Sequence, residues 1–117
     1  MGQQGGLIMS LRFLGKGGST NNGCPSLLVD DQRGYVVQAW KTDRVGTVEL
    51  PHLLLGFLEP GTFIGATLTD TGRGTFTLQG APVTDAETLG QLDIADDETV
   101  ILVPRHERTF YGAASAR

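Results

Sequence analysis

His52, His106 and Cys24 are the side chains here best suited to bond-making chemistry. The three could share a metal ion. None stands at ligand spacing from another, so no metal site is expected. Both histidines lie just past a proline, Pro51 or Pro104, which reads as the end of a strand. Base catalysis through His52 or His106 is the alternative to that surface role. Cys24, between Gly23 and Pro25, has no base beside it and reads as a packed or loop thiol rather than a nucleophile. Asp93, Asp96, Asp97 and Glu98 crowd one loop. They lack the alternating ligands and central glycine of a calcium loop and read as a solvated face. The glycine-rich residues 15–20 lack the Lys-Ser/Thr ending of a phosphate loop, so they read as a mobile linker. No cofactor is expected, and no catalytic set emerges.

The remaining candidates suit contact with a partner. Arg33 and Arg73 occupy matching turn positions. Each either pairs with the aspartate of its own turn, Asp30 or Asp70, or reaches a partner carboxylate through a forked, charge-assisted bond. Trp40 packs in the core or anchors an interface. His52 completes the set of partner-binding candidates.

These residues are positioned by short strands. Residues 11–14 and 26–29 form strand candidates, followed by 35–40, rich in β-branched and aromatic residues, and 45–50. Pro51 suits a first helical turn, and Leu53, Leu54, Phe57 and Leu58 stand at helical spacing, so one short helix can bury them together. Residues 62–69 and 75–79 read as a hairpin, with Gly72 and Gly74 taking the unusual backbone angles and Arg73 projecting between them. Thr84-Asp85-Ala86-Glu87 has the spacing of a capping box, with Thr84 accepting from the Glu87 N–H. Residues 99–103 form a last, central strand that Pro104 stops. Phe110 and Tyr111 follow it, available for docking.

Two stretches echo one another. Leu28-Val29-Asp30-Asp31-Gln32-Arg33-Gly34 aligns without a gap on Leu68-Thr69-Asp70-Thr71-Gly72-Arg73-Gly74. One inserted residue then brings Tyr35 over Phe76 and Val37 over Leu78. Val48-Glu49-Leu50-Pro51 echoes Ile101-Leu102-Val103-Pro104. Chance likeness of hairpins and a duplicated unit about a pseudo-twofold axis both give one architecture. It is a mainly β, small antiparallel barrel or sandwich with two short helices.

The 117 residues suffice for one domain, expected over 11–112 between a disordered 1–10 extension and a frayed 113–117 tail. Met9 is an alternative start. The 17 glycines favour many tight turns over long helices. The net charge of −4, and the absence of Lys or Arg from the acidic residues 81–100, argue against a nucleic-acid partner. No apolar run is long enough to span a membrane, and residues 6–9 are too short for a signal peptide. A single cysteine excludes an intramolecular disulfide and fits a reducing cytoplasm. The few charges on residues 62–66 leave a strand edge unguarded, from which a homodimer is expected.

Gly23-Cys24-Pro25, then Arg33-Gly34-Tyr35-Val36-Val37-Gln38-Ala39-Trp40, resembles a pattern in small actinobacterial proteins of unassigned function. The likeness continues in Val48-Glu49-Leu50-Pro51-His52, Glu59-Pro60-Gly61-Thr62-Phe63-Ile64-Gly65-Ala66, Arg73-Gly74-Thr75-Phe76-Thr77-Leu78 and Val83-Thr84-Asp85, and covers about residues 9–112. It brings no activity or active site. Such proteins are similar to ones encoded beside helix-turn-helix regulators in Streptomyces-like genomes, which implies a non-enzymatic, regulatory partner role. A looser likeness over residues 46–79 is to the swapped-hairpin barrel of AbrB/MazE-type proteins, which implies a dimeric DNA-binding regulator. Here His52 and Leu53 stand where that family's basic residues would help.

Overall fold

A computed structural model describes residues 10–17, 24–32 and 34–109. Nine antiparallel strands dominate it: β1 (Leu11–Lys16), β2 (Ser26–Asp30), β3 (Gly34–Lys41), β4 (Thr47–Pro51), β5 (Thr62–Ile64), β6 (Leu68–Asp70), β7 (Thr75–Gln79), β8 (Ala81–Pro82) and β9 (Glu98–Glu107). A 3-10 helix spans His52–Phe57 and a single α-helical turn, α1, spans Ala86–Leu89. The mainly β architecture with two short helices is thus as expected. The sheet follows the order β1-β2-β3-β4-β7-β6 and is not closed. β9 lies along the other edge of β3, and β5 and β8 pair with β9.

Side-chain pattern explains which strands are central. Leu27-Leu28-Val29 in β2, Tyr35-Val36-Val37 in β3 and Val100-Ile101 in β9 are unbroken apolar runs, and all are buried. Strands covered on both faces read this way. One face gathers Leu27, Val29, Tyr35, Val37, Ile101 and Val103 with Val48, Leu50 and Leu78 under the 3-10 helix. The opposite face gathers Leu28, Val36 and Val100 beneath Val83, Leu89, Leu92 and Ile94 of the α1 segment. β4 and β7 instead alternate, with Val48, Leu50 and Leu78 inward and Thr47, Glu49, Thr75 and Thr77 outward.

Buried polar groups tie the layers. The Tyr35 hydroxyl lies 2.5 Å from Thr62 Oγ1 and accepts from the Glu59 N–H at 2.8 Å. Glu59 in turn receives Arg12 of β1 and, at 2.9 Å, Arg105 Nε of β9. Gln38 Nε2 donates to Glu98 Oε1 at 2.8 Å and to the Asp93 carbonyl at 2.7 Å.

Several expectations are corrected. Residues 62–69 are not one strand: β5 pairs with β9 and β6 with β7, and the chain changes partner across Gly65. A Cβ on Gly65 would meet the His106 ring at 2.8 Å, so a larger residue at the crossing would displace that ring. This pairing also covers one side of the segment taken as unguarded, and β1 and β6 form the ends of the strand order. Pro104 does not stop β9, because β3 begins opposite it at Gly34 and no ladder donor is lost to a long partner. The helix after Pro51 is 3-10, with Leu54 buried but Leu53 and Phe57 exposed, so the four apolar residues are not buried together. The cap of α1 is Asp85, not Thr84: Asp85 Oδ2 accepts from Thr88 N at 2.8 Å and Thr88 Oγ1 at 2.6 Å. Glu98 is buried at the start of β9 rather than solvated. Arg33, Phe110, Tyr111 and most of the expected 1–10 extension lie outside the described residues.

The internal echo has a structural counterpart. Tyr35 and Val37 pair with Val103 and Ile101. Phe76 and Leu78 pair with Leu50 and Val48 in the corresponding register. Each hairpin therefore takes its next strand from the other half of the chain. The gapless part of the echo is offset by one residue: Val29 faces Tyr35, whereas Asp70 faces Phe76.

Candidate functional site

The β6–β7 turn is built by its own side chains. Asp70 Oδ1 accepts from Gly72 N at 2.8 Å, and Thr71 Oγ1 accepts from Arg73 N at 3.1 Å. Short polar side chains close turns in this way. Gly72 and Gly74 have φ of 82° and 85°, left-handed values that favour glycine, so Arg73 is projected between them as expected.

Arg73 does not pair with Asp70. Its Nη2 donates to Glu49 Oε2 at 2.9 Å, across on β4. Asp70 is turned to the other side of the hairpin, in register with Phe76. Glu49 Oε2 also accepts from Thr75 Oγ1 at 2.5 Å. That hydroxyl bond, followed by Arg73, holds the Glu49 carboxyl below its ordinary range against the opposing effect of burial.

His52 meets the same turn from the 3-10 helix. Its backbone N donates to the Gly74 carbonyl at 2.9 Å. Its Nε2 lies 3.1 Å from the Thr75 carbonyl and 3.4 Å from Asp70 Oδ1. Two acceptors face this nitrogen, so it is the one placed to donate. The ring packs on Phe76 with centroids 4.2 Å apart.

Trp40 joins the set by register. It is half-buried and pairs with Glu49, and cross-strand partners share a sheet face. Trp40 therefore emerges on the face where Glu49 holds Arg73. Of the four sequence candidates, Arg73, His52 and Trp40 converge on the β4–β7 end of the sheet; Arg33 lies outside the described residues.

The 3-10 helix also carries an exposed apolar pair. Leu53 is 54% exposed and Phe57 38% exposed. Both are seated on glycines near β1: a Cβ on Gly17 would meet Leu53 Cδ1 at 2.3 Å, and one on Gly15 the Phe57 ring at 2.2 Å. The glycines let these side chains lie flat against the sheet edge while presenting their outer surface. The exposed pair was missed in the sequence because helical spacing was read as burial.

The candidates for catalysis stay apart. His106 sits on β9 edge-on to Phe63, with centroids 5.5 Å apart. Cys24 is buried ahead of β2. Among the described residues, neither histidine ring hydrogen-bonds a hydroxyl or thiol, and no three of His, Cys, Asp and Glu gather as metal ligands. No helix among these residues is long and apolar enough to cross a membrane.

Comparison with known protein families, with curated proteins and with solved structures finds no match to the chain.

Proposed function

We propose that the chain is a non-enzymatic protein-interaction module, acting in the cytoplasm as a regulatory partner protein. The observation that carries this reading is the exposed Leu53–Phe57 pair on the 3-10 helix whose first residue, His52, donates its backbone N–H to the Gly74 carbonyl of the Gly72-Arg73-Gly74 turn. Exposed apolar side chains, with an arginine and a histidine at the neighbouring turn, are of residue types found in contact surfaces, and arginine is among those that dominate binding energy. The actinobacterial resemblance makes a helix-turn-helix regulator the first partner to try.

The test is co-purification of a neighbouring helix-turn-helix regulator with the tagged protein and with its Leu53→Ser and Arg73→Ala variants. The wild type is expected to retain the regulator, and both variants to lose it while melting as cooperatively as the wild type. Retention by both variants, or robust turnover of a defined small substrate, overturns the reading. The module is further proposed to be a homodimer, since the strand order ends at β1 and β6 and an edge strand is a template for pairing with a second chain. Light scattering at high micromolar concentration should give twice the chain mass, and a monomer there contradicts it.

A further inference from the structure

The outward face of β4, β7 and β6 holds a depression that the contact surface above does not use. It has a volume of about 340 Å³ and is lined by Arg44, Thr47, Thr67, Thr69, Thr77 and Gln79, with Ala66 and Leu78 also bordering it. Register places these groups together: Thr69 faces Thr77, and Thr47 faces Gln79. Alternation sends Thr47, Thr77 and Gln79 outward while Val48 and Leu78 enter the core.

The polar groups here are unspent. Among the described residues, the hydroxyls of Thr47, Thr67, Thr69 and Thr77 and the Gln79 amide have no hydrogen-bond partner. The arginines elsewhere differ. Arg12 and Arg105 meet Glu59, and Arg73 meets Glu49, but no described carboxylate meets Arg44. Glu49, on the same face, is already engaged by Arg73 and Thr75. Asp43 lines a second depression, on the Pro82 side of the loop, which Arg44 and Thr47 also border, but Asp43 forms no ion pair with Arg44.

The backbone holds Arg44 at this rim. Thr42 Oγ1 accepts from Arg44 N at 3.1 Å and donates to the Thr47 carbonyl at 2.8 Å, and Thr47 N donates to the Arg44 carbonyl at 3.1 Å. The loop is stapled before any ligand arrives, which lowers the cost of ordering it on binding.

We infer that this depression binds a small phosphorylated polyol, of the sugar-phosphate class. A guanidinium fork flanked by hydroxyl donors matches a tetrahedral oxyanion. The volume exceeds what a bare phosphate fills, and the remaining wall is hydroxyl and amide, suited to a hydroxylated body. No aromatic ring lines it, so a nucleobase would find nothing to stack on.

The test is a titration of the ¹⁵N-labelled full chain with glucose 6-phosphate, and separately with inorganic phosphate and with glucose, at fixed ionic strength. Glucose 6-phosphate is expected to shift the amides of Thr47, Thr69, Thr77 and Gln79 saturably, and to bind more tightly than either fragment. Arg44→Gln should weaken it about tenfold, the scale of one lost charge-assisted bond. Paired Thr69→Val and Thr77→Val changes should weaken it as well, and Arg73→Gln should leave it unchanged. Each variant is first shown to keep the wild-type melting temperature and amide spectrum. Absence of saturable shifts, indifference to Arg44→Gln, or equal binding of inorganic phosphate overturns the assignment.

Discussion

Arg73 and Glu49 form a pair at the surface, and exposed pairs contribute little to folding because water competes for both partners. Arg73→Ala should therefore shift unfolding by only about 0–1 kcal/mol in a denaturant titration. A larger loss would make the arginine structural and remove it from the contact surface. Glu59 is a different case, because it ties β1 to β9 through Arg12 and Arg105. Its carboxyl lies below the ordinary 4.5, chiefly through the Arg12 hydrogen bond, as the Glu49 carboxyl does through Thr75. The folded chain thus binds these protons less tightly than the unfolded chain. The stabilisation is complete above 4.5 and fades as pH falls through the lower folded values. Glu59→Gln should melt lower than the wild type at neutral pH, and the gap should narrow in acid; a gap of constant size across that range would deny Glu59 this role. The projection of Arg73 was legible in the sequence, since Gly-Arg-Gly after an aspartate specifies its own turn. Its partner was not, because Glu49 reaches it only through the β4–β7 register, which no local spacing encodes.

Strands were legible where alternation or an unbroken apolar run marked them, as in β2, β3, β4 and β7. Ends and partners were harder. The 62–69 segment reads as one strand because nothing local shows that its first part pairs with β9 and its last part with β7. At α1 the capping-box spacing pointed to Thr84, but the neighbouring Asp85 is the cap. Asp85→Ala should accordingly lower the melting temperature while Thr84→Ala leaves it in place; equal effects would restore the earlier capping box. Gly80 is a sharper case. Between β7 and β8 a Cβ there would meet Leu102 O at 2.7 Å and Val103 Cγ1 at 2.6 Å. Backbone cannot yield as a flexible side chain can, so Gly80→Ala should destabilise by about 1–3 kcal/mol, the scale of overpacking. Denaturant unfolding that matches the wild type would show that β8 stands off from β9.

Across the whole molecule the two halves are interlocked. β3 completes itself with β9 from the far end of the chain, and β7 completes itself with β4 from the near half. Pairings between such distant residues slow folding, because a long loop must close before any contact rewards it. Refolding from denaturant should be on the millisecond-to-second scale of all-β domains rather than in microseconds. A substitution in β9 such as Ile101→Ala should slow it if the exchange forms in the transition state; unchanged refolding with faster unfolding would place the exchange late. During synthesis the same interlock imposes an order of events. One edge of β3, carrying Tyr35, Val36 and Val37, stays without its β9 partner until the ribosome has delivered Glu98–Glu107. For that interval the nascent chain presents an apolar strand edge to its neighbours, so a strand made late, β9, is the one that protects the first half from aggregation.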